Sequence, residues 1–250
     1  MLLSDLNADF IKKNYLFGIP ITDPEGNELP DSVFDFYILA ATQRLASALG
    51  IVIEPKVGLI DYKDFHRDVW KNYGFLEVDR HPILTMDQIK VVVANYETFN
   101  IPSQWLKVDY KNGQIQVFPA IGQYATPIFQ QGFGLTPMLM QMDYVPAVFH
   151  IYYTAGMETI EEDMAHAICM FATIEILNIL GDILLGAGIA SISLGIDALS
   201  QSIGTTQSAE NAAYSARIIM YRRALWGEMG QPGMIDQLRK KWFRIRITPF

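Results

Sequence analysis

Val148-Phe149-His150-Ile151-Tyr152-Tyr153 is a run of apolar and aromatic side chains, and Thr154-Ala155-Gly156 stops it. A short run of this kind, ended by a glycine, predicts a buried strand. Thr159 is placed to cap the helix that follows. Glu161, Glu162 and Asp163 crowd its first turn, where carboxylates complement the helix dipole. Ile168, Phe171, Ala172, Ile174, Glu175 and Asn178 carry that helix to about Leu180.

Toward the N-terminus the pattern is β-rich. Ile51-Val52-Ile53 and Val57-Gly58-Leu59-Ile60 are short apolar runs, and Ile89, Val91 and Val93 alternate around Lys90. Residues 105–110 and 114–118 flank Lys111-Asn112-Gly113. Asn-Gly between β-rich runs predicts a hairpin, because both residues tolerate positive φ. Residues 119–147 hold four prolines and three glycines and predict an extended loop or hairpin tip. Before all of these, Asp31 or Ser32 opens a helix that ends at Gly50. Its stripe is Phe34, Ile38, Ala41, Leu45 and Leu49. Residues 18–30 read as a loop, and residues 4–14 as a short helix with Ser4 as its cap.

Toward the C-terminus, residues 181–210 are rich in glycine and serine and read as a loop. Ser208 or Glu210 opens a helix to about Glu228, Gly230, Pro232 and Gly233 break it, and a short helix resumes at 234–242. Residues 243–250 alternate like a strand. The fold class this predicts is α+β. It is a bundle of about four helices with an inserted β-rich region and long loops, in one domain over residues 1–250. The helical core falls at about 31–50, 159–180 and 208–229, the insertion at 51–156, and a tail at 234–250.

The chain has 250 residues, half of them hydrophobic, and a formal net charge of −8. That charge is −14 over residues 1–210 and +6 over 211–250. An acidic body argues against a general nucleic-acid binder, whose footprint is a basic face. A basic tail on an acidic body marks an interaction segment. One cysteine, Cys169, excludes an intramolecular disulfide and a Cys-rich zinc site. Met1-Leu2-Leu3-Ser4-Asp5 lacks the basic-then-apolar order of a signal peptide.

Chemistry-bearing motifs are sparse. His66, His81, His150 and His166 form no metal motif. His166 and Cys169 share a helix face but need further ligands. Asp61, Asp64, His66 and Asp68 cluster without the glycine and terminal glutamate of an EF-hand loop, and read as a solvated loop. Gly186-Ala187-Gly188 follows a helix, not the strand that a dinucleotide fingerprint needs. The apolar run 183–196, bracketed by Asp182 and Asp197, is too short to cross a membrane. Arg239, Lys240, Lys241, Trp242, Phe243, Arg244 and Arg246 mix cations with aromatics, as protein-binding hot spots do. Those seven, with Phe250, are the candidate docking residues. Truncation after Gly233 is expected to leave a folded subunit that no longer docks.

The order of these segments resembles the head–tail connector (adaptor or head-completion) proteins of tailed bacteriophages. A helix at Asp31–Gly50 leads to a β-rich middle, then to Val148–Gly156 and an acidic helix start. The turn Tyr153-Thr154-Ala155-Gly156 before a helix is similar to one in that group. Residues 15–27 (YLFGIPITDPEGN), 188–202 (GIASISLGIDALSQS) and 208–217 (SAENAAYSAR) resemble a longer connector subgroup of large phages. The likeness spans roughly residues 15–230, with an enlarged middle and an enlarged 181–210 segment. It implies a structural virion protein with no enzymatic activity and no cofactor. It also implies a homo-oligomeric ring, usually twelvefold, in the neck of a virion assembled in the host cytoplasm. The implied partners are the portal protein and a downstream neck or tail protein. DNA passes through the channel without sequence-specific binding, and no membrane is involved. The alternatives are another neck or tail-completion ring protein and an intracellular enzyme with an unrecognised site.

Overall fold

The computed structural model describes residues 1–23, 25–72, 75–93, 96–118, 120–121, 124–125, 142–185, 191–196, 199–204, 214–228 and 230–242. The chain forms two compact units. One is Met1–Gly50 with Thr159–Phe243, and the other is Ile51–Glu158 with Arg244–Phe250.

The first pass through the helical unit gives α1 (Ala8–Asn14) and α2 (Asp31–Leu49). The sheet unit follows as β1 (Lys56–His66), α3 (Arg67–Asn72), β2 (Phe75–Glu77), β3 (Ile83–Val93) and β4 (Tyr96–Ile101). It continues as β5 (Leu106–Asp109), β6 (Gln114–Val117), β7 (Ala120–Ile121), β8 (Tyr124–Ala125) and β9 (Tyr144–Ala155). The return to the helical unit comprises α4 (Glu162–Leu185), β10 (Ser191–Ile196), β11 (Leu199–Gly204) and α5 (Ser215–Trp226). Last come β12 (Gly227–Glu228), β13 (Gln231–Pro232) and α6 (Met234–Trp242).

This is a mixed α+β fold, and the expected bundle of about four helices does not describe it. The helices are unequal, from 6 residues in α3 to 24 in α4. Antiparallel hairpins lie between them. The clearest departure is in 181–210, expected as a loop. There α4 runs on to Leu185, and β10 pairs with β11 from Ser191↔Gly204 to Ile196↔Leu199. Ile192, Leu194 and Ile196 alternate with small residues, a period-two signal that the glycines and serines mask. The dinucleotide-like Gly186–Gly188 and the expected caps Ser208 and Glu210 lie outside the described residues. So does most of the expected loop 119–147, of which β7 and β8 form a two-stranded piece.

Within the helical unit, α2 buries Phe34, Ile38, Ala41 and Leu45, as the sequence stripe predicts. Its start differs. Pro30 precedes it, and Asp31 makes no cap; its carboxylate accepts from Lys12 Nζ at 2.7 Å. Gly50 ends α2 at φ 70°, a left-handed turn that glycine adopts without a Cβ penalty. Likewise Asn7, not Ser4, caps the first α-helix, accepting from the Phe10 amide at 2.9 Å. The start of α4 is later than Thr159: the Ala165 amide donates to the Glu161 carbonyl. This helix is buried on most sides, with Met164, Ala167, Ile168, Cys169, Ala172, Ile176 and Leu177 all fully enclosed. Its segment Glu162–Ile183 is long and apolar enough to cross a membrane, yet 78% of that window is buried inside the structure. A helix that is hydrophobic all round serves a protein core in this way.

The sheet unit is built on a four-stranded antiparallel sheet in the order β1-β9-β3-β4. The strand expected at Val148–Tyr153 is its second member, β9, longer at both ends. Ile151 sits between Asp61 of β1 and Ile89 of β3. A smaller sheet, β2-β6-β5, adds Ile115 and Val117 to the same core as Ile89, Ile151, Tyr153 and Ala155. The Asn-Gly hairpin is present: Asp109↔Gln114 closes β5 on β6. Only Gly113 takes positive φ, at 68°, and Asn112 instead donates its amide to the Asp109 carboxylate. Ile51-Val52-Ile53 is not a strand. Ile51 and Ile53 are buried, and Val52 donates to His81 O while Ile53 O accepts from Met157.

Candidate interaction site

The docking candidates begin on α6, an amphipathic helix whose Ile235 and Leu238 are buried. Its cations are not all displayed outward. Arg239 Nε donates to the carbonyl of Ala48 at 3.0 Å, which satisfies an orphan acceptor in the last turn of α2. Lys241 Nζ lies 2.6 Å from Glu161 Oε2, just before α4. That hydrogen bond raises the Lys241 pKa above the usual lysine value. Lys240 is exposed and Trp242 is half-buried. Phe243, Arg244, Arg246 and Phe250 lie outside the described residues. So the visible part of the basic tail holds the helical unit together. Truncation after Gly233 would strip Ile235 and Leu238 from the core, contrary to the expectation that it leaves a folded subunit.

Two further basic residues, Arg217 and Arg223, behave similarly. Arg223 pairs with Glu228 at 2.8 Å. Arg217 Nη1 and Tyr221 Oη both donate to the backbone carbonyl of Tyr15, each at 3.3 Å. Tyr15 is an anchor that sequence reasoning missed. Its Oη lies 2.6 Å from His166 Nδ1, and burial raises its pKa. Cys169 borders the same cluster. Burial pushes its thiol up to about 12, and a hydrogen bond from Tyr15 offsets this only in part. A thiol held protonated is a poor nucleophile and a poor metal ligand. His166 and Cys169 therefore do share a face, and a tyrosine stands between them. Among the described residues no group of three or more His, Cys, Asp or Glu side chains could hold a metal ion.

The acidic cluster 61–68 is not a solvated loop: Asp61, Asp64 and His66 lie on β1 and Asp68 on α3, and two of these carboxylates have structural work. Asp61 is nearly buried in β1; it accepts from Tyr153 Oη at 2.8 Å and from the Asp79 amide at 2.6 Å. Burial, then the bond to Asp61, raises the Tyr153 pKa. Tyr153 Oη also accepts from the Arg80 amide at 3.2 Å. Asp64 accepts from Tyr144 Oη and from the amide of Ala147, a non-glycine residue at φ 47°. Tyr153→Phe is expected to cost about 1–3 kcal/mol, because the Arg80 amide loses its acceptor and Asp61 loses a donor. Urea unfolding followed by tryptophan fluorescence measures it; a midpoint equal to wild type would contradict the network.

A groove of about 480 Å³ lies between α5 and the β12–β13 hairpin. Ile219, Met220, Arg223, Pro232, Met234 and Gln237 are among its lining residues. Among the described residues its charged lining is the Arg223–Glu228 bridge. Exposed apolar side chains occur on both units. Phe17 and Phe36 stand out on the helical unit, Val57 and Tyr62 on the sheet unit. Compared with known protein families and with curated proteins, the chain matches none.

Proposed function

We propose that this chain is a structural subunit of a bacteriophage neck, a head–tail connector that forms a ring between the portal and the tail. The observation that carries the reading is the order of segments that ends in the continuous run from Val148 through Gly156 into the acidic start of α4 at Glu162. The resemblance lies less in any single piece than in that order, from the helix at Asp31–Gly50 through the β-rich middle to this run. Two further features support it. A ring closes through head-to-tail contacts, which require two different faces on each subunit. Exposed aromatics on both units, Phe17 and Phe36 on one and Tyr62 on the other, offer such contacts. The −14 charge of residues 1–210 suits a wall past which DNA phosphates slide without being gripped. No catalytic step and no cofactor belong to this role.

The docking end is the C-terminal segment beyond Trp242, with Phe243, Phe250, Arg244 and Arg246 as its contacts, joined by exposed Lys240. The test mixes the purified full chain with the portal protein encoded by the same genome and weighs the complex by native mass spectrometry. A closed ring on the portal is expected. A chain ending at Trp242 keeps Ile235, Leu238 and the Lys241–Glu161 pair, and is expected to bind portal at least tenfold more weakly. Absence of the full chain from purified virions, or portal binding unchanged by the truncation, would overturn the role or the docking segment respectively.

A further inference from the structure

The helical unit carries two exposed apolar features, and both lie on elements that pack against α4. Helices α2 and α5 each do so. On α2, Phe36 and Leu39 are 63% and 49% exposed, away from the core stripe of Phe34, Ile38, Ala41 and Leu45. Phe36, Leu39 and Gln43 stand at i, i+3 and i+7, the spacing of anchors that a helix lays into a groove. The groove beside α5 is the second feature. Ala216, Ile219, Met220 and Ala224 line it from the helix, and Pro232 and Met234 from the hairpin side. The Gly227↔Pro232 pairing and the Arg223–Glu228 bridge tie the hairpin to the end of α5. At Gly233 a Cβ would collide with the backbone of Trp226 and Gly227, so the two walls are set close. The groove is thus formed within one chain. Its 480 Å³ falls in the range of about 300–1,000 Å³ that binding pockets span.

Charge selects the occupant. Residues 1–50, which hold α1 and α2, carry seven acids and three bases. Residues 214–242, which hold α5, the hairpin and α6, carry six bases and two acids. Glu28, Asp31 and Asp35 are exposed about the start of α2, and Arg222, Arg223 and Lys240 are exposed on α5 and α6. Surfaces of opposite charge steer each other together and fix register. A second copy of this chain therefore brings acid and two apolar anchors to a basic, apolar groove. We propose that Phe36 and Leu39 of one copy enter the α5 groove of the next, in a head-to-tail contact. The two faces differ, so each copy gives one such contact and receives one, and the array closes only if its rotation closes. The contact rests on the helical unit alone and not on the connector reading, whose ring needs a contact of this kind.

Disulfide trapping of the full chain tests this without any portal. Leu39→Cys and Met220→Cys are made in separate chains; both positions are exposed, and the native Cys169 is buried. Circular dichroism checks that each variant keeps its fold. Under mild oxidation, the mixture of the two is expected to give a cross-linked dimer with one chain of each kind. Neither variant alone is expected to cross-link, and a chain with both cysteines is expected to give a ladder of dimers, trimers and higher species. Adding Asp35→Lys to the Leu39→Cys chain is expected to lower the yield of the mixed dimer by about threefold, the worth of an exposed charge. No mixed dimer, or a yield indifferent to Asp35→Lys, would overturn the contact. Cross-linking of the Leu39→Cys chain to itself as readily as to its partner variant would overturn it in favour of a two-fold pairing of α2 helices.

Discussion

A chain ending at Gly233 is expected to lose the cooperative unfolding of its helical unit. Helix α6 places Ile235 and Leu238 in the core at 4% and 2% exposure. Removing one buried Leu or Ile side chain costs about 2–5 kcal/mol. Losing both takes a large part of the roughly 5–15 kcal/mol that holds a typical domain folded. The same deletion strips the Ala48 carbonyl of its Arg239 donor and Glu161 of its Lys241 partner. The exposed ion pair adds little, since surface pairs are worth about 0–1 kcal/mol. Burial therefore decides the outcome. Urea titration followed by circular dichroism compares this chain with one ending at Trp242, which is expected to unfold as the full chain does. Equal midpoints for all three would show that α6 contributes nothing to the core. The single substitution Leu238→Ala gives a graded version, with an expected loss of about 2–5 kcal/mol.

Gly156→Ala is the second large effect, and it acts on the sheet unit. Gly156 lies at φ 129°, a conformation that side chains rarely adopt. A Cβ there would stand 2.6 Å from Pro55 Cα and 2.8 Å from the Glu54 carbonyl oxygen. Both obstacles are backbone, so no rotamer relieves them. The backbone conformation alone costs about 1–3 kcal/mol. Overpacking adds about 1–3 kcal/mol more. The site matters because Gly156 also donates its amide to Pro82 O as β9 ends. A drop of several kcal/mol in urea unfolding is expected, with Gly18→Ala as the contrast. Gly18 also has positive φ, but nothing lies within 4 Å of its Cβ position. Should the two variants lose equal stability, the close approach at Gly156 is not what fixes that glycine.

The elements that were legible in the sequence share one property: their signal is local. Phe34, Ile38, Ala41 and Leu45 fall on one helical stripe, so α2 could be drawn from them alone. Asn112-Gly113 marked its hairpin, although Asn112 serves through its hydrogen bond to Asp109 and not through its φ. Caps were misplaced at Ser4, Asp31 and Thr159 because several residues near each helix start have the right chemistry. Only the approach of the preceding chain chooses among them. The helical class was misjudged where small residues hid the alternation of 191–196. The docking segment was legible as basic and aromatic, but not as partly structural. Arg239 finds its acceptor 191 residues away. Asp61 and Tyr153, 92 residues apart, met the same limit, as did Tyr15 and His166 at 151.

The division of the chain into Met1–Gly50 with Thr159–Phe243, and a nearly continuous Ile51–Glu158, also sets an order in time. Helix α2 leaves the ribosome with its apolar stripe unsatisfied, because its partner α4 is encoded only after Thr159. At about 5–20 residues per second, the wait is on the order of ten seconds. The sheet strands emerge and pair within that interval. During synthesis, then, the stripe of Phe34, Ile38 and Leu45 stays open to a chaperone while the sheet strands are being made. The helical unit closes only when the later part of the chain arrives to cover it.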